Sequence, residues 1–233
     1  MGNIGAVILA AGESSRLGQP KQLLRFHGET LIRRAVRAAA ADCDPVIVVV
    51  GEIGESIRSE LDIRDSRISS CPPLENERRT RGGGGSGGSA CSGGGSGGGI
   101  QVSDVIVVEN AEWRNGVGTS IRRGLGQLAN SVEAVVLLAC DQPFVDATVI
   151  AQLVAAHEET GKPIVASSYA NTLGVPALFD RTCLEALLSL PDDSGAKMLI
   201  ANRPGDVASI RFDEGAIDID TREDFARLTA KSE

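Results

Sequence analysis

The chain has 233 residues, of which 42% are hydrophobic and only 3% aromatic, and its formal net charge is −8. So much apolar sequence excludes a wholly disordered chain, and the shortage of rings requires a core of Val, Leu, Ile and Ala. The acidic balance argues against nonspecific nucleic-acid binding, where attraction to phosphate dominates affinity, so a phosphate ligand would need a few placed cations.

The first apolar run, Ile4–Ala10, predicts a strand buried on both faces. Thr30–Ala41 predicts a helix, Pro45–Val50 a second strand and Glu52–Leu61 a second helix. Val105–Val108 reads as a strand, Gly118–Ala129 as a helix and Glu133–Ala139 as a long apolar strand. Asp146–Glu159 predicts a helix capped by Asp146 and closed by Gly161. Pro163–Ser167 and Val175–Phe179 read as strands, Asp180–Leu190 and Gly195–Ala201 as helices. Val207–Phe212 predicts an edge strand and Thr221–Ala230 a closing helix. Strands alternating with helices imply βαβ units. The expected fold class is a three-layer α/β domain, with a mostly parallel twisted sheet and helices on both faces, of Rossmann-like type.

One stretch breaks the pattern. Gly82–Gly99 holds twelve Gly, four Ser, one Ala and one Cys, and the preceding Ser66–Arg81 is polar. Residues 63–104 therefore read as a flexible Gly/Ser-rich insertion within a single domain spanning 1–233, with a mobile lid or acceptor loop as the functional alternative. The five cysteines include no CxxC pair, and His27 and His157 are far apart in sequence. Reduced thiols, no zinc site and a cytoplasmic setting are expected. The N-terminus lacks a basic leader and no membrane span is read, so no membrane partner is expected.

Four segments carry chemistry. Leu9, Ala10, Ala11 and Gly12 end the first strand and open a small-residue loop running to Lys21. Ligands of open α/β sheets bind at that edge, where bare backbone N–H groups approach anions. Arg16 and Lys21 add fixed positive charge. The spacing fits neither GxxxxGK[ST] nor GxGxxG. Asp141, in Cys140-Asp141-Gln142-Pro143, follows the strand Glu133–Ala139 and should share that edge. A carboxylate facing a phosphate loop calls for a cation, with Mg²⁺ the natural choice, although Asp141 could instead cap a turn before Pro143. Strand alternation over Ile217–Asp220 puts Asp218 and Asp220 on one face, and Asp220 becomes a second candidate ligand. Thr221 and Asp224 read as a capping pair. The loop Glu109–Ser120 offers Gly116 and Ser120 to a base or ribose, while Trp113 either stacks on a ligand or anchors its loop.

These segments resemble the MobA-like nucleotidyltransferase family, whose sheet is shared with GT-A glycosyltransferases. The LAAGxSxRxGxxK pattern stands at Leu9–Lys21, CDQP at Cys140–Pro143 and DIDT at Asp218–Thr221. Pro20–Leu24, Gly174–Phe179 and Ser194–Leu199 most resemble the molybdenum cofactor cytidylyltransferases within it. The resemblance implies CMP transfer from CTP to the phosphate of the molybdenum cofactor, with release of pyrophosphate. Arg16 and Lys21 would hold the triphosphate and Asp141 and Asp220 would hold Mg²⁺. Gln142, Gly174, Pro176 and Lys197 would lie toward the acceptor, and a molybdoenzyme would receive the product. Other readings are a nucleotidyltransferase for a sugar phosphate or another small phosphate, and a noncatalytic chaperone that delivers finished cofactor.

Overall fold

The computed structural model describes residues 3–14, 17–62, 105–128 and 132–230. The expected insertion at 63–104 and Arg16 lie outside the described residues.

The chain order begins β1 (Asn3–Ala10), β2 (Arg25–Phe26), β3 (Glu29–Thr30), α1 (Leu31–Ala39), β4 (Val46–Val50) and α2 (Gly54–Glu60). Next come β5 (Val105–Glu109), α3 (Val117–Leu125), β6 (Val132–Ala139), α4 (Ala147–Thr160), β7 (Ile164–Tyr169) and β8 (Thr172–Asp180). The described chain closes with α5 (Leu184–Leu188), α6 (Ala196–Asn202), β9 (Val207–Arg211) and α7 (Arg222–Ala230). Seven strands form one sheet in the order β5-β4-β1-β6-β8-β7-β9. β8 runs antiparallel to both of its neighbours, and the other pairings are parallel.

Each central strand is apolar along its length because both of its faces are covered. Val46, Val48 and Val50 of β4 face one core with Ile32, Ile57 and Ile150, from α1, α2 and α4. Ile47 and Val49 face the opposite core with Ile121, Leu187 and Leu199, from α3, α5 and α6. This alternation yields the expected three layers. Gly124 lets α3 lie flat on the sheet, since a Cβ there would fall 2.4 Å from Val7 Cγ1.

Local chemistry sets the helix ends. Thr30 accepts from the Arg33 N–H and starts α1, while Asp146 accepts from the Val149 N–H and starts α4. Gly161 closes α4 at φ 62°, the left-handed conformation glycine tolerates. Thr221 and Asp224 form the expected reciprocal cap, with Asp224 N–H to Thr221 Oγ1 at 3.1 Å and Thr221 N–H to Asp224 Oδ2 at 3.0 Å.

Two expectations change, and one element was not expected. The helix expected over Asp180–Leu190 is a 3-10 turn, Arg181–Cys183, followed by the short α5. The small hairpin β2–β3 turns through His27 (φ 50°) and Gly28 (φ 81°), a two-residue connection of the kind an X-Gly pair favours. Residues 217–220 do not form a strand. Their alternation comes from Ile219, fully buried with Leu17, Leu24, Phe26, Leu31 and Leu228, and its N–H donates to the Asp141 carbonyl at 3.2 Å.

Candidate active site

The carboxyl ends of β1, β4, β5 and β6 lie along one sheet edge, joined there by the β7–β8 hairpin. A cleft of about 620 Å³ opens on this edge. Of the residues expected from the sequence, Leu9, Ala11, Gly12, Lys21, Ser120, Asp141, Gly174 and Lys197 line it. An adjoining cavity of about 190 Å³ takes in Ala10, and Trp113 and Arg114 line both spaces.

The loop after β1 is folded by its own polar groups. The Lys21 N–H donates to Ser14 Oγ at 2.9 Å. Buried Gln22 donates from Nε2 to the Ala10 carbonyl at 2.7 Å and to the Gly12 carbonyl at 3.3 Å. These bonds seat Lys21 at the start of a 3-10 turn, Lys21–Leu23, with its side chain 9% exposed. Lys21 Nζ donates to Asp141 Oδ2 at 2.5 Å and to Asp220 Oδ1 at 3.1 Å. Burial by itself would lower the Lys21 pKa, but the Asp141 carboxylate and its hydrogen bond hold the ammonium well above the usual lysine range.

Asp218 stands beside this group. Partial desolvation, then the charges of Asp141 and Asp220, push its carboxyl up to about 6. Desolvation, then the Asp218 charge, raises the Tyr169 phenol. Tyr169 was not expected from the sequence; it lines the cleft and donates to the Val175 carbonyl at 3.1 Å. Gly174 makes that approach possible, because a Cβ there would lie 2.3 Å from the phenol oxygen.

On the other side, buried Asn110 donates to Thr119 Oγ1 at 2.9 Å and Ser120 Oγ at 3.0 Å, fixing the start of α3. Gly116 stands beside lining residue Val117 at φ 135°, and its missing side chain admits the Asp192 carbonyl rather than opening room for a ligand. Trp113 rests against Gly51, where a Cβ would fall 3.1 Å from the indole. It thus anchors its loop and also walls the cleft. The Arg114 guanidinium lies 4.4 Å from the Trp113 ring centroid and pairs with Glu52. Glu13 is a further lining residue that the sequence did not single out.

Gln142 and Pro176 are not among the lining residues. Gln142 is buried and donates to the Val175 and Gly215 carbonyls at 3.1 and 3.0 Å. The Pro176 carbonyl accepts from Ser167 Oγ at 2.7 Å. Both brace the wall that Tyr169 and Gly174 present. Cys140 is buried behind Asp141, and burial first, then the Asp141 charge, raises its thiol. Among the described residues no three His, Cys, Asp or Glu side chains form a ready-made metal cage, and no helix is long and apolar enough to cross a membrane.

The chain is 28% identical over 156 residues to the bifunctional protein GlmU of Streptomyces griseus, a match covering 65% of this chain and 24% of that protein. It is 57% identical over 44 residues to a "Probable molybdenum cofactor guanylyltransferase" of Synechococcus elongatus, covering 19% of this chain and 23% of that protein. The chain thus spans about a quarter of the length of these curated relatives. The crystal structure of Rv0371c from Mycobacterium tuberculosis H37Rv superposes with a TM-score of 0.68 at 26% identity, over 97% of each chain. A family model matches residues 6–207, and the chain therefore belongs to the MobA-like NTP transferase domain family.

Proposed function

We propose that this protein transfers a nucleotidyl group from a nucleoside triphosphate to a phosphate-bearing acceptor, with CTP as donor and the molybdenum cofactor as acceptor. The observation that carries the reading is the Lys21 ammonium held between Asp141 and Asp220 beside Gly12, in a cleft of about 620 Å³. The guanylyltransferase relative supports a molybdenum cofactor acceptor. The choice of CTP rests on the Leu9-Ala10-Ala11-Gly12 resemblance.

In this reading an acceptor phosphate oxygen attacks the α-phosphorus. The new P–O bond forms as the bond to the β-phosphate oxygen breaks, and pyrophosphate leaves with the electron pair. A phosphate monoester has a second pKa near about 6 and is largely ionised at neutral pH, so no general base is needed. The protein's work is positioning and charge neutralisation. Lys21, with Arg16, neutralises the departing pyrophosphate, and the Gly12 loop offers backbone to the phosphates. Ser120 and Trp113 form the nucleoside side, and Gly116 shapes the turn that leads into it. Tyr169, Gly174 and Lys197 face the acceptor, supported by Gln142 and Pro176.

The residues present fit Mg²⁺. Two carboxylates lie close enough to share one ammonium, and their hard oxygen donors suit an ion that takes one or two carboxylates plus substrate phosphates. When bound, the ion would supply charge stabilisation between the two phosphates. A structure of Rv0371C from Mycobacterium tuberculosis contains manganese.

Pyrophosphate release from CTP and GTP in competition, with purified molybdenum cofactor, tests the reading. A preference for CTP is expected. A preference for GTP overturns the base, turnover only with a sugar phosphate overturns the acceptor, and binding without pyrophosphate release makes the chain a delivery protein.

A further inference from the structure

The position of Lys21 bears on more than the charge neutralisation proposed above. Its ammonium already occupies the space between the two carboxylates, at 2.5 and 3.1 Å. It also lies next to the phosphate loop, where only the absence of a side chain leaves room, since a Cβ on Gly12 would meet Lys21 Cε at 3.5 Å and Nζ at 3.8 Å. The ammonium is bonded to the carboxylates and lies beside Gly12, at the tip of a flexible four-carbon stem.

We propose that Lys21 is a built-in counter-ion that fills the carboxylate pair until a triphosphate draws it toward the loop, so that the divalent cation enters only together with the nucleotide. The inference rests on the reading of Asp141 and Asp220 as cation ligands. Two carboxylates, Asp141 and Asp220, share one ammonium, and their mutual repulsion favours a cation between them. A divalent ion on the same oxygens would sit against the ammonium, and like charges at that range repel strongly in a shielded site. A bound triphosphate removes the conflict, since its oxygens offer the ammonium a new partner on the loop side.

Coupling of this kind is reciprocal: whatever factor the nucleotide adds to metal affinity, the metal adds to nucleotide affinity. It also gives Lys21 a signature opposite to that of a simple binding residue. Removing a cation-site competitor strengthens metal binding, whereas removing a phosphate ligand leaves it unchanged.

The test is Mn²⁺ binding to the full chain without nucleotide, read by electron paramagnetic resonance, for the wild type, Lys21→Met, Lys21→Gln and the double variant Lys21→Met/Asp141→Asn. The single variants are expected to bind Mn²⁺ about tenfold or more tightly than the wild type, and the double variant to lose the gain. Folded single variants that bind Mn²⁺ no more tightly than the wild type overturn the inference and leave the catalytic reading standing. A gain that survives Asp141→Asn shows that the ion sits elsewhere and overturns the reading of Asp141 as a ligand. If the variants do not fold, the wild type carries the test through the ¹⁵Nζ signal of Lys21. Mg²⁺ that binds without nucleotide must shift that signal, and an unshifted signal with Mg²⁺ bound overturns the inference.

Discussion

Arg222, on the first turn of α7, donates from Nε to the backbone carbonyl of Leu17 at 2.9 Å, joining the last helix to the first loop. Gly18 lies beneath the same guanidinium at φ 70°, and a Cβ there would fall 2.6 Å from Arg222 Nη2. Gly18→Ala therefore meets a left-handed backbone penalty of roughly 1–2 kcal/mol and displaces Arg222. Both Gly18→Ala and Arg222→Ala should loosen the loop. Calorimetric titration with a nonreacting CTP analogue is expected to show affinity reduced about tenfold for Gly18→Ala, at roughly 1.4 kcal/mol, and less for Arg222→Ala. Unchanged affinity in both would remove the loop from triphosphate binding.

Asp141→Asn should keep the fold and nearly abolish pyrophosphate release, because an amide cannot neutralise a divalent cation. Asp220→Asn should fall in the same direction. Lys21→Ala should lower kcat by about 10²-fold, the usual cost of losing a preorganised transition-state charge. Near-normal turnover for Asp141→Asn would take that residue out of the chemistry. For Lys21, a change confined to KM would limit the residue to binding.

The three described thiols give a pH dependence with a definite sign. Burial, then the Asp42 charge, pushes Cys43 up to about 12, and burial leads the rise at Cys140 and Cys183. An unfolded cysteine titrates near about 8.5. Above that pH the unfolded chain releases protons that the native chain keeps, so stability falls as pH rises toward 12. Urea midpoints should drop between pH 8 and 10, by amounts that substituting Cys43 with Ala reduces. Iodoacetamide should label these thiols only as fast as the protein unfolds. Rapid labelling of Cys43 in the folded protein at pH 8 would contradict the burial.

The described residues on either side of the Gly-rich segment lie far from the cleft. Its flanks are α2, ending at Glu60, and β5, whose first residue Val105 pairs with Val46 at the start of β4. That is the amino edge of the sheet, opposite Lys21 and Asp141. Loop-closure cost rises only about 0.6 kcal/mol per doubling of length. Replacing Ser66–Gly99 with a short turn should leave turnover within about threefold and thermal stability undiminished. A large activity loss in a folded variant would make the segment a working lid.

The sequence revealed what depends on local pattern and hid what depends on long-range pairing. Val46–Val50 could be read as a strand because both of its faces are covered, which makes every residue apolar. The reversed direction of β8 could not, because apolar periodicity is the same in either direction. β7 runs on to Tyr169 through Ser167, whose hydroxyl is hidden by its bond to Pro176. Lys21 and Asp141 were legible as loop residues after strands. The Lys21 bond to Asp220 spans 199 positions, which no local rule reaches. Ile219 explains why Asp218 and Asp220 looked like strand neighbours: one buried side chain between two polar ones produces the alternation without a ladder.

The reversed strand has a consequence for how such a fold can change its acceptor. β8 begins at the cleft, directly after the turn that follows Tyr169, so the wall proposed above to face the acceptor is the tip of a hairpin rather than a strand-to-helix loop. A hairpin tip can grow or shrink by paired residues while the strands beneath it keep their register. The triphosphate loop has no such freedom, since its length is fixed by the bonds that Ser14, Gln22 and Arg222 make to it. One half of the cleft is therefore mechanically conserved and the other adjustable, a division of labour suited to exchanging one phosphate acceptor for another without rebuilding the nucleotide half.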